Sequence, residues 1–235
     1  MRFFLFVILL FLSAPQVSAA DTVVLLHGIA RTGESLSPIT RVLQAEGYDT
    51  VPLTYPSTTN NLSGIAHYLR QGPLDAAFWE RAGTVHFVTH SMGGLVAQNY
   101  LNTYRAEIPA DKIGRVVMLA PPNGGSEIAD LLHQLLPYQW YYGPAGEDLT
   151  TASRRGAGVN PFYELGIIAG TKEWPYVVSA FIVPGASDGR VSVEKTKMTG
   201  MKDHIRVSAT HTFIMSNPDV HRHIIAFLKN GNFSR

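Results

Sequence analysis

The chain has 235 residues, of which 46% are apolar, 16% charged and 10% aromatic, so it can build a hydrophobic core and intrinsic disorder is excluded. The 19 Lys and Arg residues nearly balance the 18 Asp and Glu residues, which argues against a broad basic surface for nucleic acid. The absence of cysteine excludes disulfides, thiolate nucleophiles and cysteine metal sites.

The N-terminus has the pattern of a secretory signal peptide. A positive end, Met1-Arg2, precedes the uninterrupted apolar run Phe3–Leu12, and the small residues of Val17–Ala19 fit a cleavage site. This run falls short of the roughly 20 apolar residues that span a bilayer. We therefore expect a signal peptide over residues 1–19 or 1–20, export to the periplasm or the medium, and one mature domain over residues 21–235. An uncleaved N-terminal anchor is the alternative.

Beyond the signal, short Val- and Ile-rich runs alternate with amphipathic runs, which predicts an α/β domain with a mostly parallel sheet. Strands are predicted at Thr22–Leu26, Thr50–Leu53, Val85–Thr89, Gly114–Leu119, Gly166–Ala169, Ser179–Val183 and Ile205–Ser208. Helices are predicted at Ser37–Ala45, Gly64–Gln71, Leu95–Tyr104, Ser126–Leu136 and Val220–Leu228.

Residues 121–161 form an unusually long connection between predicted strands. It opens with Pro121–Gly125, continues with the predicted helix Ser126–Leu136, and then reads as a glycine-containing loop. The loop carries four aromatic residues, Tyr138, Trp140, Tyr141 and Tyr142. So long a connection is typical of a lid or a pocket wall. The same aromatic residues would also suit simple packing against the core.

A serine lies where a buried strand turns abruptly into a helix. The run Phe87–Leu95 reads FVTHSMGGL, with Ser91 at the turn. A nucleophile elbow of this kind holds its serine in a strained conformation above the sheet, beside the positive end of the helix dipole. We therefore predict Ser91 as a nucleophile, although Thr89 stands where the usual pattern has glycine. An ordinary N-cap serine is the alternative, but it would not need the adjacent His, Met and two glycines.

A serine nucleophile needs a histidine base at the same edge of the sheet. Of the nine histidines, His211 is the candidate, because it follows the last predicted strand and begins the loop to the last helix. His27 and His90 adjoin their own strand ends and look architectural, and His204 is expected before the last strand, at the wrong end. The other five lie inside a predicted strand or on predicted helices: His86, His67, His133, His221 and His223.

An acid must orient that histidine, and Asp188 is the candidate. It lies in the turn sequence Ser187–Gly189 after a predicted strand, and the order Ser91, Asp188, His211 matches that of a serine hydrolase triad. A plain Asp-Gly turn would explain the segment equally simply if it stood alone. Glu164 and Asp203 are the fallback acids.

A tetrahedral intermediate also requires backbone N–H donors for its oxyanion. The first predicted strand ends in a glycine turn, His27-Gly28, so the N–H of Ile29 is one candidate donor. The N–H of Met92, next to the predicted nucleophile, is the second.

Together these motifs resemble the α/β-hydrolase superfamily, and most closely its small bacterial lipases and esterases. The resemblance rests on His27-Gly28, His90–Gly94, Pro121–Ser126, Ser187–Gly189 and Thr210–Phe213, and it covers nearly the whole mature chain. It implies a three-layer α/β-hydrolase fold with helices on both faces of the sheet. It also implies that no cofactor is used, that Ser91 is acylated, and that water releases the acid. No metal site is expected either, since the sequence has no His-Glu-x-x-His run.

The expected activity is hydrolysis of carboxylic esters, with lipid-like acyl esters as the first choice of substrate. The apolar residues of Ser126–Leu136 and the aromatic residues that follow suggest a surface for an acyl chain, which is also compatible with peripheral membrane contact. The alternatives are a short-chain esterase, a phospholipid deacylase, an acyltransferase and a non-catalytic lipid-binding protein of the envelope. The oligomeric state stays open. Because a histidine base must be neutral, activity should fall in acid.

Overall fold

The computed structural model describes residues 20–156, 159–174 and 182–234. The predicted signal peptide, up to Ala19, lies outside these residues. So does most of the predicted strand Ser179–Val183, of which only Ile182 and Val183 are described, and these two residues are not in a strand.

The centre of the domain is a sheet of six described strands, all paired in parallel. The strands are β1 (Thr22–Leu26), β2 (Asp49–Leu53), β3 (Val85–His90), β4 (Ile113–Leu119), β5 (Leu165–Gly170) and β6 (Asp203–Val207). Their spatial order is β2-β1-β3-β4-β5-β6. Every residue of β1, β3 and β5 is buried, as expected for parallel strands covered on both faces.

Helices cover both faces of this sheet. They are α1 (Ser37–Ala45), α2 (Leu62–Gln71), α3 (Ala76–Arg81), α4 (Met92–Thr103), α5 (Glu127–Leu132), α6 (Leu136–Asp148), α7 (Thr151–Arg154), α8 (Val193–Thr196) and α9 (Pro218–Asn230). Alternate residues of β1 face opposite sides, because successive side chains of a strand alternate. Val23 and Leu25 pack with the core beneath α1 and α9, while Val24 and Leu26 pack with the core beneath α2 and α4. The predicted three-layer arrangement is confirmed.

Polar side chains decide several helix boundaries that the apolar pattern misplaced. The N-cap Asn61 accepts a hydrogen bond from the N–H of Gly64 (2.8 Å), so α2 begins at Leu62 rather than Gly64. Asp75 caps α3 in the same way through the N–H of Phe78 (2.8 Å), a helix that the pattern did not predict.

The segment 121–161 is more helical than its composition suggested. The helix predicted over Ser126–Leu136 is shorter in the structure, where α5 ends at Leu132 and a second helix, α6, begins at Leu136. The stretch expected to be an aromatic loop lies within α6, which is interrupted at Gly143 (φ 59°, ψ −156°). Only glycine adopts this backbone readily. A Cβ at Gly143 would also lie 1.7 Å from the carbonyl oxygen of Thr58, so α6 bends where it passes the loop after β2.

The chain order of the strands creates a crevice at their carboxyl ends. From β1 the chain leads outward to β2, and it then crosses to β3 on the other side of β1. Ligand sites in open parallel sheets lie at such a reversal of strand order. The segments that leave β1 and β3 here carry Ile29 and Ser91.

Candidate active site

Ser91 is held in a strained backbone conformation at the turn between β3 and α4. Its φ of 54° and ψ of −127° are unusual for a residue with a side chain, and its N–H donates to the carbonyl of Leu119 on β4 (2.8 Å). Strain of this kind persists only where the surroundings impose it, and it is concentrated at functional sites. The turn therefore presents the Ser91 hydroxyl at the crevice.

Close packing after Ser91 explains the glycine that follows it by two residues. A Cβ at Gly93 would lie 2.3 Å from the carbonyl oxygen of Leu26 and 2.7 Å from that of His27, both backbone atoms of the neighbouring segment. Only glycine lets α4 start this close to the end of β1. Thr89, which stands where glycine was expected, is fully buried, and its hydroxyl has no hydrogen-bond partner among the described residues.

The structure brings together the three residues predicted as a triad. The Nε2 atom of His211 lies 2.9 Å from Oγ of Ser91, and its Nδ1 atom lies 2.7 Å from Oδ2 of Asp188. All three residues are buried. The arrangement provides a hydroxyl, a base within hydrogen-bond reach of it, and a carboxylate that orients the base.

Asp188 is fixed by backbone groups on its own turn. Its Oδ1 atom accepts hydrogen bonds from the N–H groups of Arg190 and Val191, each at 2.9 Å, and its carbonyl accepts from the N–H of His211 (2.9 Å). A fully buried carboxylate requires such donors, because burial without them costs several kcal/mol. A Cβ at Gly170 would lie 2.7 Å from the Cβ of Asp188, so the acid sits beside the carboxyl end of β5.

The two predicted oxyanion donors belong to segments that adjoin the predicted nucleophile. Met92 is the first residue of α4, so its N–H has no carbonyl of its own helix to bond. Ile29 lines the same cavity as Ser91. The next residue, Ala30, has a φ of 55°, and its N–H donates to the hydroxyl of the buried Ser57 (3.1 Å). Oxyanion binding by Ile29 and Met92 stays a prediction.

Two side chains that sequence reasoning did not single out support the loop after β1, which carries Ile29. The ring of Tyr55 stacks on that of His27, with centroids 4.0 Å apart, and its hydroxyl donates to the His27 carbonyl. Ser57 anchors the following turn through Ala30. Both residues come from the segment after β2. Only the parallel pairing of β1 with β2, which the sequence does not specify residue by residue, brings them to the site.

His90 contributes to the site through His211. Its Nε2 atom lies 2.9 Å from the carbonyl oxygen of His211, and the two ring centroids are 4.9 Å apart. Burial, followed by the charge of His211, lowers the pKa of His90 well below its usual value, so the ring is neutral and donates from Nε2. Its architectural interpretation from sequence was incomplete, because the residue it holds is the predicted base.

A cavity of about 480 Å³ opens above the triad. Part of its wall comes from the segment 121–161, and the residues of that wall are mostly apolar: Pro122, Ser126, Ile128, Ala129, Leu131, Leu132, Tyr138, Tyr142 and Leu149. In this conformation the segment is therefore a wall of the pocket. Arg31 and Arg190 are the arginines that line the same cavity.

The fallback acids and His204 lie at the amino ends of β5 and β6, whereas the triad lies at the carboxyl ends of the strands. Glu164 directly precedes β5, and its carboxylate binds Arg115 (2.6 Å) and Lys202, whose hydrogen bonds lower its pKa. Asp203 begins β6, and its Oδ2 atom accepts a hydrogen bond from the N–H of Phe233 (3.0 Å). His204 is the second residue of β6 rather than a residue before it. None of the three is brought to Ser91.

Neither a candidate metal cluster nor a helix able to span a membrane occurs among the residues that the structure describes. There, no three His, Asp or Glu side chains cluster closely enough to hold a metal ion. Over the same residues, no helix has the length and apolar character needed to cross a bilayer.

Comparisons with known proteins place the chain in one family. Residues 23–220 match the model of the alpha/beta hydrolase family. No curated protein sequence matches significantly. The mature lipase BlEst2 of Bacillus licheniformis has a similar structure (19% identity, TM-score 0.71), with 94% of this chain and 95% of that chain covered.

Two further solved structures share the fold. A metagenomic carboxyl esterase is 17% identical with a TM-score of 0.68, and the alignment covers 83% of this chain and 65% of that one. Phospholipase PlaB of Legionella pneumophila is 17% identical with a TM-score of 0.57, over 76% of this chain and 46% of the phospholipase. At these identities the likeness concerns the fold. The match over residues 23–220 shows that the chain belongs to the alpha/beta hydrolase family.

Proposed function

We propose that the protein is a serine hydrolase that cleaves carboxylic esters through an acyl-enzyme intermediate. The observation that carries the proposal is the continuous chain of contacts from Ser91 Oγ to His211 Nε2 (2.9 Å) and from His211 Nδ1 to Asp188 Oδ2 (2.7 Å). This series of contacts begins at a serine with a strained backbone and lies beneath a cavity large enough for a small ester. An ordinary N-cap serine would need neither the strain nor the base.

In the acylation half of the reaction, His211 accepts the proton of Ser91 as Oγ attacks the ester carbonyl. Asp188 stabilises the resulting imidazolium, and the N–H groups of Ile29 and Met92 donate to the oxyanion. When the carbon–oxygen bond to the alcohol breaks, His211 passes its proton to the leaving alkoxide. The alcohol departs, and the acyl group stays on Ser91.

In the deacylation half, His211 removes a proton from water while the water oxygen attacks the acyl carbon. The second tetrahedral intermediate collapses, the proton moves from His211 to Ser91 Oγ, and the carboxylic acid leaves. Every proton is carried by the imidazole, so the cycle needs neither a cofactor nor a metal. The bonds that hold Asp188 keep the ring in the orientation that both halves require.

We propose lipid-like acyl esters as the substrates. The mostly apolar wall beside Ser91, including Ile128, Leu131 and Leu132, suits an acyl chain. The structural neighbours named as a lipase, a carboxyl esterase and a phospholipase are compatible with this choice. An acyltransferase of the same fold would differ only in the acceptor, so product analysis in the presence of an added alcohol separates the two activities.

We also propose that the protein is exported and contacts membranes peripherally. Removal of residues 1–19 or 1–20 would leave β1 intact, since β1 begins at Thr22. A group of exposed apolar side chains, the α5–α6 patch, adjoins the cavity: Leu131, Leu135, Leu136, Trp140 and Tyr141. Amino-terminal sequencing of protein recovered from the periplasm or medium tests export, with Ala20 or Asp21 expected as the first residue.

Covalent labelling tests the proposed nucleophile directly. A fluorophosphonate should modify the wild-type protein at Ser91, and peptide mass spectrometry should locate the adduct there. A matched control is Ser63→Ala, which removes an exposed serine of α2 and leaves a labelled Ser91 in place. Labelling of Ser91→Ala at the wild-type rate, or a wild-type adduct at another residue, would contradict the proposal.

A further inference from the structure

Two arginines on different loops line the cavity that holds the triad. Arg31 follows the turn after β1, and Arg190 follows Asp188. Of the described residues that line the cavity, none is an aspartate or a glutamate. The carboxylate of Asp188, next to the lining residue Gly189, is engaged by His211 and by two backbone N–H groups. The permanent charges among the described lining residues are therefore those of the two arginines, although the charge of the whole chain is close to zero.

The backbone around Arg31 is anchored on both sides. The N–H of Ala30 donates to Ser57 Oγ (3.1 Å), and the N–H of Gly33 donates to Thr54 Oγ1 (3.0 Å). The side chain of Arg31 is exposed, and within the described ranges no carboxylate lies within ion-pair distance of it. A fixed loop thus presents a guanidinium at the mouth of the pocket.

The backbone of Arg190 is equally fixed, and it is tied to the catalytic acid. Its N–H donates to Asp188 Oδ1 (2.9 Å), and its carbonyl accepts from Ser126 Oγ (3.0 Å). Burial and the charge of His211 are the main causes that lower the pKa of the His90 ring beneath the cavity, and the charges of Arg31 and Arg190 both add to them. The two cations therefore act on the same small region, next to the predicted nucleophile.

We infer that the enzyme prefers esters whose leaving alcohol carries a phosphate group, which Arg31 and Arg190 bind while the acyl chain lies on the apolar wall of α5 and α6. This inference rests on the ester hydrolysis proposed above. The apolar wall and the arginines come from different segments, so one substrate can occupy both. Guanidinium groups suit phosphate because their planar forks pair with its several oxygens.

The test compares three soluble hexanoyl esters: 1-hexanoylglycerol, 1-hexanoylglycerol 3-phosphate and the hexanoyl ester of glyceric acid. The six-carbon chain keeps the esters monomeric, so the charge of an aggregate surface does not enter the comparison. At low salt we expect kcat/KM for the phosphate ester to exceed that for the neutral ester about tenfold, the size of one or two charge-assisted hydrogen bonds. The carboxylate ester should fall between them.

Substitutions of the two arginines test which residues cause the preference for the phosphate ester. Arg31→Gln and Arg190→Gln should each lower the ratio of kcat/KM for the phosphate ester to that for the neutral ester about fivefold, and Arg31→Lys should retain most of it. Arg41→Gln, which removes an exposed arginine from α1, is the matched control and should keep the wild-type ratio. The ratio should also shrink as NaCl rises from 20 to 500 mM, because salt screens exposed charges.

The results distinguish a failure of the phosphate preference from a failure of the proposed ester hydrolysis. Hydrolysis of the neutral ester with a ratio near one, or a carboxylate ester that matches or exceeds the phosphate ester, would overturn the phosphate preference and leave ester hydrolysis standing. A wild-type ratio in both Gln variants would also overturn it. If the folded protein cleaves none of the three esters, the proposed function fails and the preference fails with it.

Discussion

The side chain of His90 holds the backbone of His211. Nε2 of His90 lies 2.9 Å from the carbonyl oxygen of His211, while the His211 ring reaches Ser91 on one side and Asp188 on the other. The residue before the predicted nucleophile therefore fixes the loop that carries the predicted base. Residues 121 positions apart in the sequence are coupled in this way at the centre of the site.

Replacing His90 by phenylalanine should lower kcat more than it raises KM. The variant keeps a buried ring but leaves the carbonyl of His211 without its donor, which costs about 1–3 kcal/mol and frees the base to move. We expect kcat on a soluble ester to fall about tenfold. Steady-state kinetics check this, and a kcat equal to that of the wild type in a folded variant would show that His90 does not position His211.

The same variant tests the pH dependence of stability. Burial lowers the pKa of His90 in the folded protein, so below the ordinary pKa of 6.5 the unfolded chain binds more protons than the folded protein does. The free energy of unfolding must therefore decrease as the pH falls below about 6.5. One such group contributes at most about 1.4 kcal/mol per pH unit.

His90→Phe removes that contribution at every pH. The difference in unfolding free energy between wild type and variant should therefore shrink from pH 7.5 to pH 5, as measured by urea denaturation at several pH values. His67→Phe, on α2, is the matched control. A difference that stays constant or grows as pH falls would mean that His90 is protonated in the folded protein.

Replacing the buried Thr89 by valine should make the folded protein more stable. Its hydroxyl is fully buried without a partner among the described residues, so Thr89→Val exchanges an unsatisfied polar group for a methyl group of similar size. We expect the free energy of unfolding to rise by about 1 kcal/mol. Thr103→Val, at the end of α4, serves as the exposed control in thermal or urea unfolding. A loss of stability in Thr89→Val would point to a hydrogen bond that the hydroxyl does make.

The α5–α6 patch predicts binding to lipid surfaces. Trp140 and Leu136 are 89% and 78% exposed, although large apolar side chains usually lose most of their exposure on folding. Trp140→Ser combined with Leu136→Ser should weaken binding to phospholipid vesicles at least tenfold in a sedimentation assay. Tyr68→Ser, which changes an exposed aromatic residue on α2, should bind like the wild type. Equal binding by all three proteins would exclude the patch as the contact.

Local patterns in the sequence predicted the elements that form the sheet. The run TVVLL, which is apolar after its first residue, predicted the bounds of β1, and α1 begins and ends where the helical spacing indicated. Parallel strands bring their carboxyl ends to one edge, so residues placed at those ends were expected to meet. Ser91, Asp188 and His211 do meet in the structure.

Other features of the site depend on tertiary contacts that no local pattern encodes. The sequence placed Asp188 after a predicted strand that lies mostly outside the described residues, and it did not indicate that the side chain lies beside Gly170 of β5. Ser57 and Tyr55 support the loop of Ile29 only because β2 pairs with β1. The aromatic run after Leu136 was misjudged as a loop, because Gly143 and Pro144 are usual breaks in a helix and here they bend a helix that continues.

Ester hydrolysis by the mature protein tests whether Ser91 and His211 act as nucleophile and base. The assay uses p-nitrophenyl esters of two to sixteen carbons, with Ser91→Ala and His211→Ala measured beside the wild type. We predict turnover by the wild type that is highest on chains of eight or more carbons, and a loss of at least about 10,000-fold in kcat for both variants. A folded wild type that cleaves none of the esters, or variants that keep the wild-type rate, would contradict the proposed serine hydrolase mechanism.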